Sequence, residues 1–438
     1  MNHSKDPRPL KRSERILAKK KKRKRHLYAL VILSCVLVAC LLGAGWFWIQ
    51  SRNVSPSKPQ TNSPVASSTV DSQLDHPTSY PQIMNSSSFT FTGVGDNLLH
   101  DTIFVYHEQD HGNRDFTPLY ETTIPYFQNT DLAYCNFETV CAGDQFGLSG
   151  YPSFNGPTEM MDSLVSSGFD WFSISSNHSL DAGAEGLKYE KAYIQQHFPD
   201  MSATGAYSSY EDAQQPVVRE INGIRVGLCG FTYGLNGYTV PQGMEWLIDV
   251  YRNVDDTINY KLIDKKLDAI NALSDVQIVA MHWGDEYHNE PNEEQRTLAQ
   301  YLHSKGVEVI IGTHPHVIQP VEFIESSDQT TLVYYSLGNF ISAQDSNVTM
   351  VGGMANFRLN YDFNTQKASF SEIQIIPTIT WISPDLRQYR TTTIHEYNDD
   401  LAANHFVSAQ GMDISKAWVQ QYVSSIIQGD ERIQVVLE

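Results

Sequence analysis

His314 and His316, in Gly312-Thr313-His314-Pro315-His316, are spaced to hold a metal ion. Neutral imidazole is the commonest side-chain ligand of catalytic metals, and two imidazoles held together form a chelate. Pro315 lies between them, fixes its own φ and gives no N–H to a sheet, which predicts a rigid loop. The run Val307-Glu308-Val309-Ile310-Ile311 before them reads as a buried strand. The same design recurs along the chain. Short apolar runs lead to Asp96 (after Gly93-Val94-Gly95), to Glu138, to Asn177 and His178, and to His282. Each alone has a plain alternative: a turn residue for Asp96 or Asn177, a satisfied core histidine for His282. Together, carboxylate, amide oxygen and imidazole make the mixed donor set of a di-metal hydrolase centre. Ligands in open α/β sheets gather beyond the carboxyl ends of the strands, which is where this pattern puts all of them.

The elements that position these residues are legible as alternating helices and short strands. Helical periodicity covers Thr158 to Ser167, Glu185 to His197, Asn259 to Leu273, Glu293 to Ser304 and a patch near Ala417 to Ile427. Strands are expected at Phe89 to Thr92, at Asp131 to Glu138 and at Phe169 to Ile174. Others are expected at Val276 to Met281 and at Thr331 to Tyr335. Asn222-Gly223 reads as a hairpin turn between Val217-Val218 and Ile224 to Leu228. Met354 to Phe363 and Ala368 to Ile376 look like two antiparallel strands, so an α/β body with mixed sheets is expected.

Charge divides the chain. Residues 1–25 carry 12 Lys/Arg against Asp6 and Glu14, a net of +10; the whole chain's −19 less that +10 leaves −29 on the remaining 413 residues. A body this acidic is a poor binder of nucleic acid, and an anionic substrate would need a locally positive site such as a metal. Leu27 to Ile49 runs 23 positions without a charged residue, enough at ~1.5 Å per residue to cross a ~30 Å bilayer core. The basic cluster before it puts a tail, 1–26, in the cytoplasm, the anchor at 27–49 and everything beyond outside the cell. Residues 50–88, rich in Ser, Pro, Thr, Asn and Gln, are expected to be a disordered stalk. The folded body is expected over 89–380, with 381–438 as a C-terminal extension. Cys135, Cys141 and Cys229 show no disulfide-framework spacing and read as small buried residues.

The ordered motifs carry a resemblance. Gly95-Asp96, Asn136-Phe137-Glu138, Ser176-Asn177-His178-Ser179-Leu180-Asp181, His282-Trp283-Gly284, Gly312-x-His314-Pro315-His316 and Ser336-Leu337-Gly338-Asn339-Phe340 resemble those of the CapA family. These are bacterial capsule and poly-γ-glutamate synthesis proteins, similar in fold to calcineurin-like metallophosphatases. The resemblance covers about 89–345 and implies a sandwich of two mixed β-sheets flanked by helices, with one or two divalent ions (Mn, Fe or Zn) at one sheet edge. It implies that Glu138 bridges the ions, that Asp96 serves the first and Asn177 and His282 the second. His314 and His316 would be divided between the two, and His178 would be the general acid. Asn136, Asp181, Trp283, Glu286 and Asn339 would line the substrate or support the ligands. The chain departs from the phosphatases in two places. Leu98 stands where their first motif has histidine, so that His100 or water would have to complete the first ion's shell. Glu138 stands where they have aspartate.

Two functions remain open from the sequence. One is a membrane-anchored metal-dependent hydrolase or transferase acting outside the cell on an anionic envelope polymer or a phosphoester. The other is a non-catalytic polymer-handling or assembly subunit of a membrane synthase complex.

Overall fold

The computed structural model describes residues 85–438. The tail at 1–26, the anchor at 27–49 and nearly all of the expected stalk lie outside those residues. Among the described residues no helix is long and apolar enough to cross a membrane.

In chain order the strands are β1 (Ser86–Asn97), β2 (Leu132–Asn136), β3 (Trp171–Ser173), β4 (Ser202–Thr204), β5 (Val217–Ile221), β6 (Ile224–Thr232), β7 (Val276–His282) and β8 (Val309–Thr313). They continue as β9 (Val321–Glu325), β10 (Thr330–Tyr334), β11 (Asn339–Ile341), β12 (Val351–Asp362), β13 (Lys367–Ile382), β14 (Tyr389–Thr393) and β15 (Ile433–Val435). The helices are α1 (Asp101–His111), α2 (Ile124–Gln128), α3 (Glu159–Ser167), α4 (Gly183–His197), α5 (Tyr260–Asn271), α6 (Glu293–Ser304), α7 (Asp399–Ala403), α8 (Phe406–Ala409) and α9 (Lys416–Ile426). One sheet runs β14-β13-β12-β1-β2-β3-β4, with β11 on β1 and β15 on β13; the other runs β5-β6-β7-β8-β10-β9. Both are mixed. β1 to β4 are parallel and β12 to β14 antiparallel, while β6, β7, β8 and β10 are parallel between the antiparallel β5 and β9.

Alternation along the strands explains the layers. In β7, Val276, Ile278 and Ala280 face a core shared with Phe91 and Tyr134 of the first sheet. Val279 and Met281 face the other way, onto Ile263, Leu267 and Ile270 of α5 and Leu298 and Leu302 of α6. The body is therefore an α/β fold of two mixed sheets flanked by helices. Local signals set several boundaries. Asn292 and Gln295 form a reciprocal capping box at the start of α6. Asn222 (φ 51°) and Gly223 (φ 81°) give the left-handed pair that a tight hairpin turn between β5 and β6 requires.

Three differences from the sequence expectation stand out. β1 begins at Ser86, not Phe89, because Ser86, Ser87 and Ser88 pair with Asp362, Tyr361 and Asn360 of β12 whatever their polarity. Residues beyond 380 join the first sheet through β14 and β15, so its hydrogen bonding runs on past that boundary. Helix α1 had no periodic signal, since its apolar residues Ile103, Phe104 and Val105 are consecutive in the chain.

Candidate metal centre

The carboxyl ends of β1, β2 and β3 from one sheet meet those of β7 and β8 from the other. Asp96 is the penultimate residue of β1, Glu138 lies two past β2, Asn177 and His178 lie just after β3, and His282 ends β7. His314 and His316 follow β8 with φ of 97° and 58°. Non-glycine residues are rarely left-handed, and such strain persists only where surroundings impose it. Here the backbone is crowded from below: a Cβ on Gly312 would sit 1.9 Å from the Tyr335 carbonyl, and one on Gly95 1.9 Å from that of Gly338.

All six expected ligands converge and are buried. His282 Nε2 faces Asn177 Oδ1 at 2.9 Å and lies 3.7 Å from Glu138 Oε1. His316 Nε2 lies 3.8 Å from the same Glu138 oxygen. His316 Nδ1 donates to Asp96 Oδ2 and to Asn339 Oδ1, each at 3.0 Å, which leaves Nε2 as the atom that could serve a metal. Ligand atoms of Glu138, His282 and His314 lie within 4.8 Å of one another, as do those of Asp96, Glu138 and His316. Glu138 belongs to both groups, as a residue shared between two ions would.

The donor chemistry fits a divalent ion. Both Glu138 carboxylate oxygens and His314 Nδ1 are buried without a hydrogen-bond partner. A buried carboxylate left unpaired is strongly destabilising, and a cation would compensate it. Burial, and then the Asp96 charge, push the Glu138 carboxyl well above its usual range. Burial, then repulsion by neighbouring histidines, hold His282 and His314 well below theirs, so both rings are neutral as metal ligands must be. His316 moves the other way: burial opposes its protonation, but the hydrogen bond and charge of Asp96 outweigh it.

The supporting residues sort into separate roles. Asn136 Nδ2 donates to Asp96 Oδ1 at 2.8 Å. Asn339 Nδ2 donates to Gln344 Oε1 and the Thr349 carbonyl, which aims its oxygen at His316. Asp181 Oδ2 accepts from His178 Nδ1 at 2.7 Å and from the Phe154 N–H, also at 2.7 Å. Trp283 does not reach the site. It is fully buried in the core beneath α5 and α6, and its indole N–H donates to the Tyr335 carbonyl. The alternation of β7 turns it away from His282. His100, the substitute for the missing first-motif histidine, caps α1, and its Nδ1 accepts from the Ala343 N–H. Burial pushes it down to about 4, and it belongs to none of the convergent groups among the described residues.

Two neighbours escaped the sequence reading. Asn236 (φ 48°) accepts from Asn177 Nδ2 at 3.2 Å and touches the His178 ring. The Tyr233 ring lies 4.6 Å from that of His314. The only signal for Asn236 was Asn-Gly, which speaks of a turn.

A cleft of about 380 Å³ opens over the centre, lined among others by His178, His316, Glu286, Tyr238 and Tyr287, and among the described residues no lysine or arginine lines it. Larger clefts elsewhere, of about 650 and 560 Å³, contain none of the six ligands. The three body cysteines are free and buried, as expected of small core residues.

The family profile described as bacterial capsule synthesis protein PGA_cap matches residues 90–344, more than half of the chain. The chain belongs to that capsule synthesis family. Among curated relatives, the capsule biosynthesis protein CapA of Bacillus anthracis is 26% identical over 351 residues, covering 78% of this chain and 75% of the relative. The PGA biosynthesis protein CapA of Bacillus subtilis (strain 168) is 25% identical over 284 residues, covering 64% and 69%. Among solved structures, a phosphatase from Mycoplasma pneumoniae superposes with a TM-score of 0.39 at 14% identity, over 66% of this chain and 93% of its own. A 5'-nucleotidase from Candida albicans SC5314 does so with a TM-score of 0.35 at 16% identity, over 63% and 52%.

Proposed function

We propose that this capsule-family chain is a membrane-anchored, metal-dependent hydrolase or transferase acting outside the cell on an envelope polymer or phosphoester. The observation that carries it is Glu138, fully buried with both oxygens unpartnered between His282, His314, His316 and Asp96. Asp96, Glu138, Asn177, His282, His314 and His316 would hold one or two divalent ions of the Mn, Fe or Zn kind. A bound ion supplies Lewis acidity and an activated water or polymer nucleophile. The chain's own residues do the rest. Asn339 orients His316, Asn136 orients Asp96, and Asp181 fixes the orientation of the His178 ring. His178, at the cleft wall, gives a proton to the leaving oxygen.

The uncharged stretch 27–49 after a basic cluster supports a single-pass anchor with the N-terminus in the cytoplasm. That placement would bring the body beside a membrane synthase partner. The test is replacement of the chain in its own host by His178→Ala, with polymer output as readout. Output should fall by about 100-fold or more, the range expected when a general acid is lost, with melting temperature and metal content unchanged. Undiminished output from a folded His178→Ala chain would favour the second reading, a non-catalytic assembly subunit, to which Leu98 in the first motif already lends weight.

A further inference from the structure

The two halves of the centre are unequally furnished. Glu138, His282 and His314, with Asn177 Oδ1, offer one ion four protein donors, whereas Asp96, Glu138 and His316 offer the other three. The shortfall falls on the side where Leu98, two residues after Asp96, presents no donor to the cleft it lines. A further carboxylate stands there. A carboxylate oxygen of Glu286 and one ring nitrogen each of His314 and His316 lie within 4.8 Å of one another. Glu286 is exposed where the two histidines are buried, so it approaches from the solvent side, and it lines the same cleft as Leu98 and His316.

Its loop, between β7 and α6, is fastened to the histidine loop. The Tyr287 N–H donates to the carbonyl of Pro315, between the two histidines, at 2.8 Å. Gln319 Nε2 donates to the His288 carbonyl at 2.9 Å, and Asn292 Nδ2 donates to Asp285 Oδ2, also at 2.9 Å. Gly284 and Tyr287, with φ of 87° and 64°, bracket Asp285 and Glu286 with left-handed turns. Such fastening holds the Glu286 backbone in fixed relation to His314 and His316.

We infer that Glu286 is a metal ligand that closes from the solvent side the half of the centre held by Asp96, Glu138 and His316. The inference rests on the metal-centre reading above. It makes the missing first-motif histidine a replacement rather than a loss: a carboxylate from the β7–α6 loop serves where an imidazole from the β1 loop does not. Three carboxylates in one centre also shift its preference toward a harder cation such as Mn²⁺ relative to an all-imidazole site.

The test uses the purified full-length chain, stripped of metal and titrated with Mn²⁺, with calorimetry for affinity and electron paramagnetic resonance for coupling between ions. Glu286→Gln should weaken the weaker-bound ion at least tenfold, since loss of even an outer-shell partner costs about 10–100-fold. Glu286→Asp should fall between that variant and wild type. Because Glu286 is exposed, its metal-free melting temperature should equal that of the wild type, which separates lost coordination from lost fold. Wild-type Mn²⁺ affinity in Glu286→Gln, beside clear weakening in His282→Ala, would overturn this assignment and leave the metal centre standing. A wild-type chain that binds no Mn²⁺, Fe²⁺ or Zn²⁺ would overturn both.

Discussion

Glu138→Gln separates the metal-binding role of the centre from its structural one. The amide keeps the shape of the side chain and removes the charge that a bridging ion needs. An ion present at about 100 times its dissociation constant stabilises the native state by ~2.7 kcal/mol, and at 1,000 times by ~4.1 kcal/mol. The described body is about 350 residues, and unfolding entropy near 2.1 cal/mol/K per residue makes ~0.7 kcal/mol per degree. Each ion should therefore raise the wild-type melting temperature by about 4 to 6 °C, while Glu138→Gln should show no rise. In chelator the order changes. Burial keeps the Glu138 carboxyl protonated in the folded metal-free chain well above the pH at which the unfolded chain releases that proton. Wild-type stability in chelator should thus fall as pH rises above the ordinary carboxylate value of 4.5, and the glutamine variant should melt increasingly higher than wild type. Scanning calorimetry at pH 5 and pH 8, with chelator and with Mn²⁺, reads both effects. Equal metal-induced shifts in wild type and variant would refute the bridging role.

Two further outcomes follow from buried groups away from the ions. Glu190 and Glu308 are pushed up to about 8 by burial, although each accepts a backbone N–H, from Cys141 and Gln277 respectively. A raised folded value means that stability is fully present below about 4.5 and lost as pH rises toward 8. Glu190→Gln and Glu308→Gln should each therefore gain up to ~4 kcal/mol over wild type at pH 8 and little at pH 4.5, by chemical denaturation. Gly312→Ala places a Cβ 1.9 Å from the Tyr335 carbonyl and 2.5 Å from the Trp283 indole nitrogen, so the histidine loop must shift. That variant should lose metal binding and several kcal/mol of stability, while Gly234→Ala, with nothing within 4 Å of the added carbon, should lose neither.

Residues that end a clear apolar run were easy to find. His282 ends β7 and the His314–His316 pair follows β8 directly, and strand periodicity marks where those runs stop. Trp283 and Glu286 show the limit of the same reasoning. They sit three residues apart and appeared equivalent in sequence, yet the pleat sends Trp283 into the core and the left-handed loop brings Glu286 to the cleft. Asn236 lay in a stretch without periodicity, and its contact with Asn177 spans 59 residues of chain.

Composition and local pattern alone established the α/β class, the ends of the ligand-bearing strands and the order of the motifs, because these depend on residues adjacent in the chain. Only the tertiary structure decided that β1, β2 and β3 belong to one sheet and β7 and β8 to another, with the ligands meeting between them. Hydrophobic alternation states which face of a strand is buried; it carries no information about which sheet shares that buried face. That choice is made by long-range packing, and here it turns separate strand ends into one buried cluster around Glu138.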